Sequence, residues 1–335
     1  MFDYNKKTIA YIGTLCFLLV SIYSLNGCSP KHQLPVSKSD YLLNTVVTIS
    51  IYETKDSTIN TETILDDCMA KCKEYENLFS RTISGSDISR INVAAPDWVT
   101  VSDDTAILLQ QALSYCALTD GLVDITIAPV KDLWNFSDPQ NASLPTESDL
   151  KEQLLHVDYK NIEIKENKVR LTDANAAIDL GFIAKGYIAD CLKEYLHSQG
   201  VTNGIINLGG NVLTIGSKNG TPFLVGIQKP FSDTSTALMS IESEDSSVVT
   251  SGIYERYFSI NDELYHHILT PATGYPVNNE LLSVTILSKD SVTGDALSTS
   301  CLLLGLEKGK KLIESKEDVE AIFVTKDYEI IKTYE

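Results

Sequence analysis

Positive charge is scarce in this 335-residue sequence, which has 27 Lys and Arg residues against 45 Asp and Glu residues. Nucleic-acid-binding proteins neutralise phosphates with clustered basic side chains, so a formal net charge of −18 argues against that class of partner. An anionic substrate would need a local lysine, a helix N-terminus or a metal ion. The 43% hydrophobic and 21% charged residues are otherwise typical of a soluble globular protein.

Paired cysteines are also lacking. Beyond residue 30 the cysteines are Cys68, Cys72, Cys116, Cys191 and Cys301, none of them in a Cys-x-x-Cys pair. An odd number without such pairs indicates neither a disulfide framework nor a zinc site. The phosphate-binding fingerprints GxxxxGK[ST] and GxGxxG are absent as well, which excludes the two commonest nucleotide-binding loops.

Long apolar runs are missing except at the N-terminus. Residues 9–25 follow two lysines and are too short for an ordinary spanning helix, but they suit the apolar region of a signal peptide. The run ends in LNGC (25–28), which resembles a bacterial lipobox. By that resemblance residues 1–27 are a lipoprotein signal peptide and Cys28 is lipidated. Residues 28–40 would then tether the protein to the membrane, outside the cytoplasm. The alternative is a plain N-terminal anchor with an incidental cysteine.

Hydrophobic periodicity predicts a mixture of helices and short strands in the rest of the chain. The predicted helices cover 61–79, 103–118 and a segment from the glycine turn at 181 to about 197. The predicted strands cover 41–52, 161–164, 168–171, 203–216 with a kink at a glycine pair, and 281–288, before a closing hairpin around 319–331. We find no repeat and no internal linker in 41–335, so the sequence predicts one α+β domain.

The segment VTGDALSTSCLLLG (292–305) carries the clearest candidate site. If it is helical, Asp295 and Thr299 share one face because they are four residues apart, and Ser298 lies one step around. A carboxylate, a hydroxyl and a backbone carbonyl form an all-oxygen site that suits Mg²⁺ better than zinc. The alternative is an ordinary helix in which Asp295 is an N-terminal charge that complements the helix dipole.

A second candidate surrounds a glycine turn. Asp179 and Lys185 flank Gly181, and a helix that begins there would offer free N–H groups beside a mobile positive charge, as a phosphate site requires. The alternative is a tight turn with a surface lysine.

Two further segments could contribute to a binding site. His267 follows His266 before a Pro/Gly loop and could act as a ligand contact or a general acid/base, since its ordinary pKa is near neutrality. The alternative is one exposed and one packed histidine. Leu122, Val123 and Asp124 could line a pocket for a ring with polar edges, although Asp124 could equally be a turn carboxylate.

Six segments together resemble a known family. In chain order they are DGLVDITIAPVKDLW, IDLGFIAKGYIAD, INLGG, TSGIYERYF, HHILTPATGYPV and GDALST. Their order and spacing are similar to those of the ApbE family, the FAD:protein FMN transferases, over about 41–335. The resemblance implies a T-fold-like α+β domain with FAD in a cleft. It also implies Mg²⁺-dependent transfer of FMN from FAD to a Thr or Ser hydroxyl of an extracytoplasmic target protein, with release of AMP.

The resemblance also implies roles for individual residues. The metal would be held by the side chains of Asp295 and Thr299, by the backbone at Ser298, and by the carbonyl of Phe182. The implied FAD contacts are Leu43, Thr82, Leu122, Val123, Asp124, Asp179, Lys185 and Leu269. His267 and Asp295 are the implied catalytic residues.

Three residues depart from the family pattern. Asn44 replaces a usual Gly, so the first strand must approach the flavin differently. Thr270 replaces the usual Asp of the His-x-x-Asp-Pro motif and Ala272 replaces a frequent basic residue. Loss of that carboxylate removes a candidate orienter of His267. Two other functions therefore stay open: an FAD pyrophosphatase that gives FMN and AMP, and a silent FAD-binding lipoprotein.

Overall fold

A computed structural model describes residues 34–136, 138–233 and 236–334. The predicted signal peptide, the lipidation at Cys28 and the first six residues of the tether (28–33) lie outside these described residues. None of the described helices is both long and apolar enough to cross a membrane. The cysteines from Cys68 onward are all free thiols, as predicted.

Antiparallel strands provide the framework of the domain. They are β1 (Val36–Leu42), β2 (Thr45–Thr54), β3 (Val99–Thr100), β4 (Ile162–Lys165), β5 (Lys168–Leu171), β6 (Val201–Asn207), β7 (Asn211–Ile215), β8 (Phe223–Gln228), β9 (Ala237–Ser243), β10 (Ser247–Gly252), β11 (Tyr257–Ile260), β12 (Glu263–His266), β13 (Leu281–Ser288), β14 (Glu320–Thr325) and β15 (Ile330–Lys332). Eight of these form one sheet in the order β1-β2-β6-β7-β10-β13-β14-β15, with smaller sheets β3-β5-β4, β8-β9 and β11-β12.

Helices cover parts of the large sheet. They are α1 (Thr61–Phe79), α2 (Asp87–Ala94), α3 (Asp103–Leu118), α4 (Ala128–Asp132), α5 (Glu147–Leu154), α6 (Ala184–Ser198), α7 (Ser291–Leu304) and α8 (Leu306–Glu314). The spans of α1 and α3 match their predictions. In α1 the side chain of Asn60 caps the N-terminus by accepting from the Thr63 N–H, and the residues at helical spacing, among them Leu65, Cys68 and Cys72, are buried.

The predicted first strand, 41–52, is wrong in its extent. The chain forms a hairpin in which Leu42 pairs with Thr45, and Leu43 and Asn44 form a two-residue turn with φ of 55° and 57°. Both positions of such a turn need positive φ, which Asn tolerates but which Leu seldom adopts. Asn44 therefore indicated the turn, whereas Leu43 argued against it. As a consequence residues 36–40, which we placed in the tether, belong to β1.

The glycine pair is likewise a turn rather than a kink within one strand. Gly209 and Gly210 have φ of 71° and 80° and connect β6 to β7, which pair antiparallel. A Cβ atom on Gly209 would lie 2.0 Å from Thr45 Oγ1, so only glycine allows this turn to meet the β1–β2 hairpin. The segment before the other glycine turn, at Gly181, forms only an isolated bridge, between Ile127 and Ala177.

Helix α7 lies inside the fold rather than on its surface. It packs against β10, β13 and α6. Its residues Leu297 and Leu302 share an apolar cluster with Val284, Ile286 and Phe323 of the sheet. Because both its neighbours and its own side chains are buried, any polar group on α7 must find a partner or face a cleft.

Candidate active site

Asp295 and Thr299 lie on α7, as their spacing predicted, and Asp295 is almost completely buried. Asp295 Oδ2 accepts a hydrogen bond of 2.9 Å from the backbone N–H of Gly186 on α6. Burial raises the pKa of Asp295 to about 6, and Glu255 and Asp190 add to this while Lys185 and the Gly186 N–H oppose it. A positive charge in the cleft would therefore be favoured at this carboxylate.

A different carboxylate caps α7. Asp190, on α6, accepts bonds of 2.8 Å from the backbone N–H groups of Ser291 and Val292, the first residues of α7. Asp295 is one turn further along, so it does not serve as the N-terminal charge of this helix. The ordinary-helix alternative for Asp295 is therefore wrong.

The two helices approach each other through a glycine. A Cβ atom on Gly186 would lie 2.5 Å from the carbonyl oxygen of Ser291 and 2.6 Å from Cα of Val292. At the start of α6, the Gly186 N–H donates to Asp295 and not to the carbonyl of Phe182, four residues earlier. Within the described part of the chain, the Phe182 carbonyl oxygen accepts no hydrogen bond.

The hydrogen-bond directions around α7 show which of its hydroxyl oxygens is free to accept a bond. The Ser298 hydroxyl donates to the Asp295 carbonyl at 2.9 Å. Ser251 Oγ is 2.8 Å from Ser298 Oγ and 3.1 Å from Thr299 Oγ1. Each hydroxyl has one proton. Because Ser298 gives its proton to the Asp295 carbonyl, Ser251 must donate to Ser298. Ser251 then has no proton left, so Thr299 must donate to Ser251. The lone pairs of Thr299 Oγ1 are thereby left for a ligand, whereas the Ser298 side chain is committed to the structure.

Asp179 lies at the centre of an ion network beside the glycine turn. Its Oδ2 accepts from Arg81 Nε at 2.9 Å and from Lys131 Nζ at 3.1 Å, and its Oδ1 accepts from the Gly181 N–H at 2.8 Å. Arg81 also forms a two-pronged ion pair with Asp132. Burial opposes ionisation of Asp179, but Lys131 and Arg81 outweigh it and lower the pKa to about 2. The carboxylate is therefore ionised at all physiological pH values.

His267 is oriented by a backbone carbonyl. Its Nδ1 lies 3.2 Å from the Arg256 carbonyl oxygen, and its backbone N–H donates to the same oxygen at 3.1 Å. Since a carbonyl only accepts, Nδ1 carries the proton and Nε2 presents a lone pair. Burial, with Lys131 and Arg256 nearby, lowers the pKa of His267 well below its ordinary value, so the ring is neutral.

Thr270, which stands where the family motif has Asp, is bonded within its own loop. Thr270 begins a tight turn: its N–H donates to the Tyr275 carbonyl, its carbonyl accepts from Gly274, and its hydroxyl accepts from the Ala272 N–H at 3.4 Å. His267 takes its orientation from Arg256 instead. His267 is thus oriented without a carboxylate at position 270.

A cleft formed by two adjoining pockets brings the predicted residues together. The first is lined, among others, by Leu122, Val123, Asp124, Asp179, Phe182, Lys185, His267, Leu269, Asp295 and Thr299. The second adjoins it through Asp179, Lys185 and His267 and adds Leu43, Asn44 and Thr82. Of the predicted site residues that the structure describes, only Ser298 lines neither pocket. Predicted residues from six separate segments thus face one cleft.

Asp124 lines the cleft, and both of its carboxylate oxygens accept hydrogen bonds from the protein. Oδ1 accepts from the Thr126 N–H at 2.8 Å and from the Thr126 hydroxyl at 2.6 Å, and Oδ2 accepts from the Tyr159 N–H at 2.8 Å. Burial raises the pKa of Asp124, although the hydrogen bonds from Thr126 and Tyr159 act to lower it. The turn-carboxylate alternative is therefore correct for this side chain, while Leu122 and Val123 supply apolar wall.

Several charged residues of the cleft were missed by sequence reasoning. They are Arg81, Lys131, Glu255 and Arg256. Each stands inside or beside a segment that we had singled out, such as APVKDLW for Lys131 and TSGIYERYF for Glu255 and Arg256. The available signal was a charged residue inside or beside one of these motifs.

The fold and the cleft define a class: an α+β protein whose sheet and buried helix α7 support one ligand-binding cleft. The model of the ApbE family matches residues 43–323, and the chain belongs to this family. It is 40% identical over 262 residues to the FAD:protein FMN transferase of Klebsiella pneumoniae, covering 77% of this chain and 81% of that protein. The ApbE protein of Thermotoga maritima has a similar structure, with 32% identity, a TM-score of 0.82, and coverage of 89% and 97%. The flavin transferase ApbE of Vibrio cholerae is 28% identical with a TM-score of 0.77, at 89% and 96% coverage.

Proposed function

We propose that this protein transfers FMN from FAD to a Thr or Ser hydroxyl of a target protein and releases AMP. The observation that carries the proposal is the meeting, in one cleft, of the Asp295–Thr299 oxygens with a neutral His267. A phosphoryl-type transfer needs both charge stabilisation near the phosphates and a base for the attacking hydroxyl. Membership of the ApbE family supports the same reaction.

Local cations explain how an acidic protein could hold the FAD pyrophosphate. Lys131, Lys185 and Arg256 all face the cleft although the chain has a net charge of −18. Lys185 Nζ donates to the Gly209 carbonyl at 2.9 Å, which holds the ammonium group of Lys185 at the Gly209–Gly210 turn. We therefore place the two phosphates between these cations and α7.

The donor set of α7 fits Mg²⁺. Within the described ranges, one Asp295 oxygen has no hydrogen-bond partner, Thr299 Oγ1 has free lone pairs, and the Phe182 carbonyl accepts no bond, so three oxygen donors remain unused. Among the described residues no group of three or more His, Cys, Asp or Glu side chains could hold a metal, so the ion would depend on such mixed oxygens. When bound, Mg²⁺ would neutralise charge on the pyrophosphate.

The chain's own residues then account for the transfer step. His267 Nε2 takes the proton of the acceptor hydroxyl, and the hydroxyl oxygen attacks the phosphorus of the FMN half. The bond from that phosphorus to the bridging oxygen breaks, and the oxygen leaves with AMP. The Arg256 carbonyl stabilises His267 as it becomes protonated, since it already accepts the Nδ1 proton.

One experiment separates this reaction from its two rivals. Purified protein is incubated with FAD and Mg²⁺, with and without a membrane extract of source-organism cells that lack this chain. Covalent flavin fluorescence on a protein band supports transfer. AMP release without a labelled band supports an FAD pyrophosphatase, in which water replaces the hydroxyl. Tight FAD binding with neither product identifies a silent flavin-binding protein.

We also propose that the protein is a lipoprotein anchored at Cys28 with its domain outside the cytoplasm. The LNGC segment after an apolar run supports this location. Substitution of Cys28 by Ala should release the protein from the membrane fraction while FMN transfer to a soluble acceptor continues. Continued membrane association of the variant would contradict lipid anchoring.

A further inference from the structure

A partly exposed aromatic patch lies beside the cleft. We define it as the exposed Phe231 and Tyr257 with the half-buried Tyr254. The Phe231 ring meets the Tyr254 ring at a centroid distance of 5.9 Å and the Tyr257 ring at 5.3 Å, both edge to face. Phe231 is 42% exposed and Tyr257 is 37% exposed. Aromatic rings that cluster yet remain in solvent are unusual on a free surface and are enriched where proteins bind each other.

The backbone holds Phe231 outward. Its φ is 56°, a left-handed conformation that is costly for a bulky residue. The Tyr328 hydroxyl bonds the Pro230 carbonyl at 3.3 Å and the Gln228 amide bonds the Ser232 carbonyl at 2.9 Å, which secures the loop on both sides of Phe231. A strained residue whose ring stays exposed suggests a function for the ring in solvent.

One short segment connects this patch to the reacting groups. Ser251 bonds Thr299, and Glu255 and Arg256 line the cleft. A Cβ atom on Gly252 would lie 2.5 Å from Cε1 of Tyr254, so the Tyr254 ring rests directly on the backbone next to Ser251. Residues 251–257 therefore contribute side chains both to the cleft and to the patch.

We infer that this patch binds the segment of the target protein that flanks its flavin-accepting Thr or Ser. The inference rests on the proposed function, which requires a protein to bring a hydroxyl to His267. The chain on either side of that hydroxyl must then lie on the surface next to the cleft mouth. Apolar or aromatic side chains of the target would pack against the exposed Phe231 and Tyr257 rings, which offer a large contact area.

The test measures acceptor capture separately from FAD chemistry. The probe is the same membrane extract with FAD and Mg²⁺, and initial rates of covalent flavin labelling are measured as the extract is diluted. We expect F231A and Y257A to raise the extract concentration that gives half-maximal rate at least tenfold, with a plateau within twofold of wild type. The FAD dissociation constant should not change, because neither residue lines the cleft.

Three variants act as controls. F231W and Y257F keep the rings and should label like wild type. V93A removes an apolar side chain that is 84% exposed on α2, which packs against α1, β3 and β5, and should also label like wild type. F231G should be at least as thermally stable as F231A, because glycine relieves the positive φ.

The outcomes separate the two proposals. If wild type labels a protein and F231A and Y257A label it equally well, the patch is not the acceptor site and the transfer reaction stands. Weaker FAD binding in these variants would assign the rings to the FAD site, and weaker vesicle binding with unchanged labelling would assign them to the lipid surface. Either result overturns the inference. If wild type labels nothing, the proposed function and this inference both fail.

Discussion

The floor and the rim of the cleft are held by different interactions. The floor is the junction of α6 and α7, where backbone atoms meet through Gly186 and where Asp190 caps the neighbouring helix. The rim is the network of Arg81, Lys131 and Asp179, in which charged side chains meet across sequence separations of 48 to 98 residues. Backbone contact leaves the floor no room to adjust, whereas long side chains allow the rim to adapt to a substrate.

Substitution of Gly186 by Ala should break the floor and have the largest effect. The new methyl group would meet two backbone positions of α7 within 2.6 Å, and backbone cannot rotate away. We expect a loss of about 3 kcal/mol of unfolding free energy and a fall of at least 100-fold in FMN transfer. Urea unfolding and the labelling assay measure both. The matched control is G226A, whose methyl would lie 3.6 Å from Ala237 Cβ and should change neither quantity.

Substitution of Asp295 by Asn should separate chemistry from packing on the floor. The amide oxygen can still accept from Gly186, so unfolding free energy should stay within about 1 kcal/mol of wild type. The charge that would attract Mg²⁺ is lost, so transfer should fall by roughly 100-fold or more. D290N, at an exposed acid just before the same helix, is the control and should be fully active. An active D295N would contradict the metal assignment.

Substitution of Asp179 by Asn should show what the rim contributes to stability. The pKa of Asp179 is lowered to about 2 by Lys131 and Arg81, against the effect of burial. A lowered folded-state pKa stabilises the protein above the unfolded pKa, and this contribution is lost as pH falls through the folded value. D179N should therefore cost about 2 kcal/mol at pH 7, and the difference from wild type should shrink between pH 4 and 2.

Chemical denaturation at several pH values measures this. The control is D132N, because the Asp132 side chain pairs with the same Arg81 but is 58% exposed. We expect it to cost less than about 1 kcal/mol. Equal losses in the two variants would show that burial does not distinguish the two ion pairs.

Substitution of Thr270 by Asp should have the smallest effect. His267 is already oriented by the Arg256 carbonyl, and Thr270 serves its own turn. We expect kcat to change less than threefold, with FAD affinity unchanged. A tenfold gain in kcat, which corresponds to about 1.4 kcal/mol, would show that a carboxylate here does orient the base.

Local features were predicted well. The helices at 61–79 and 103–118, the placing of Asp295 and Thr299 on one helical face, and the single α+β domain all follow from spacing and composition. The family resemblance, now confirmed, named twelve of the residues that line the cleft. Errors arose where one residue broke a local rule, as Leu43 does by adopting the positive φ of a hairpin turn.

Side-chain partners were beyond prediction from one sequence. Asp124 and Asp179 look alike in the chain, each a carboxylate near a turn. In the structure the Asp124 carboxylate accepts hydrogen bonds from Thr126 and Tyr159. The Asp179 carboxylate instead pairs with two cations that line the cleft, Arg81 and Lys131. The orientation of His267 by the Arg256 carbonyl likewise depends on two loops that meet only after folding.

The sequence by itself determined the periodicities, the glycines that allow close approach, and the order of the motifs, because these depend on neighbours along the chain. Tertiary structure decided which oxygens of α7 stay free, which carboxylate caps it, and which carbonyl fixes the tautomer of His267. The physical reason is that a hydrogen bond uses up a donor proton or limits a lone pair, and the competing partners come from distant segments. Only when all of them are in place is it settled which groups remain for a substrate.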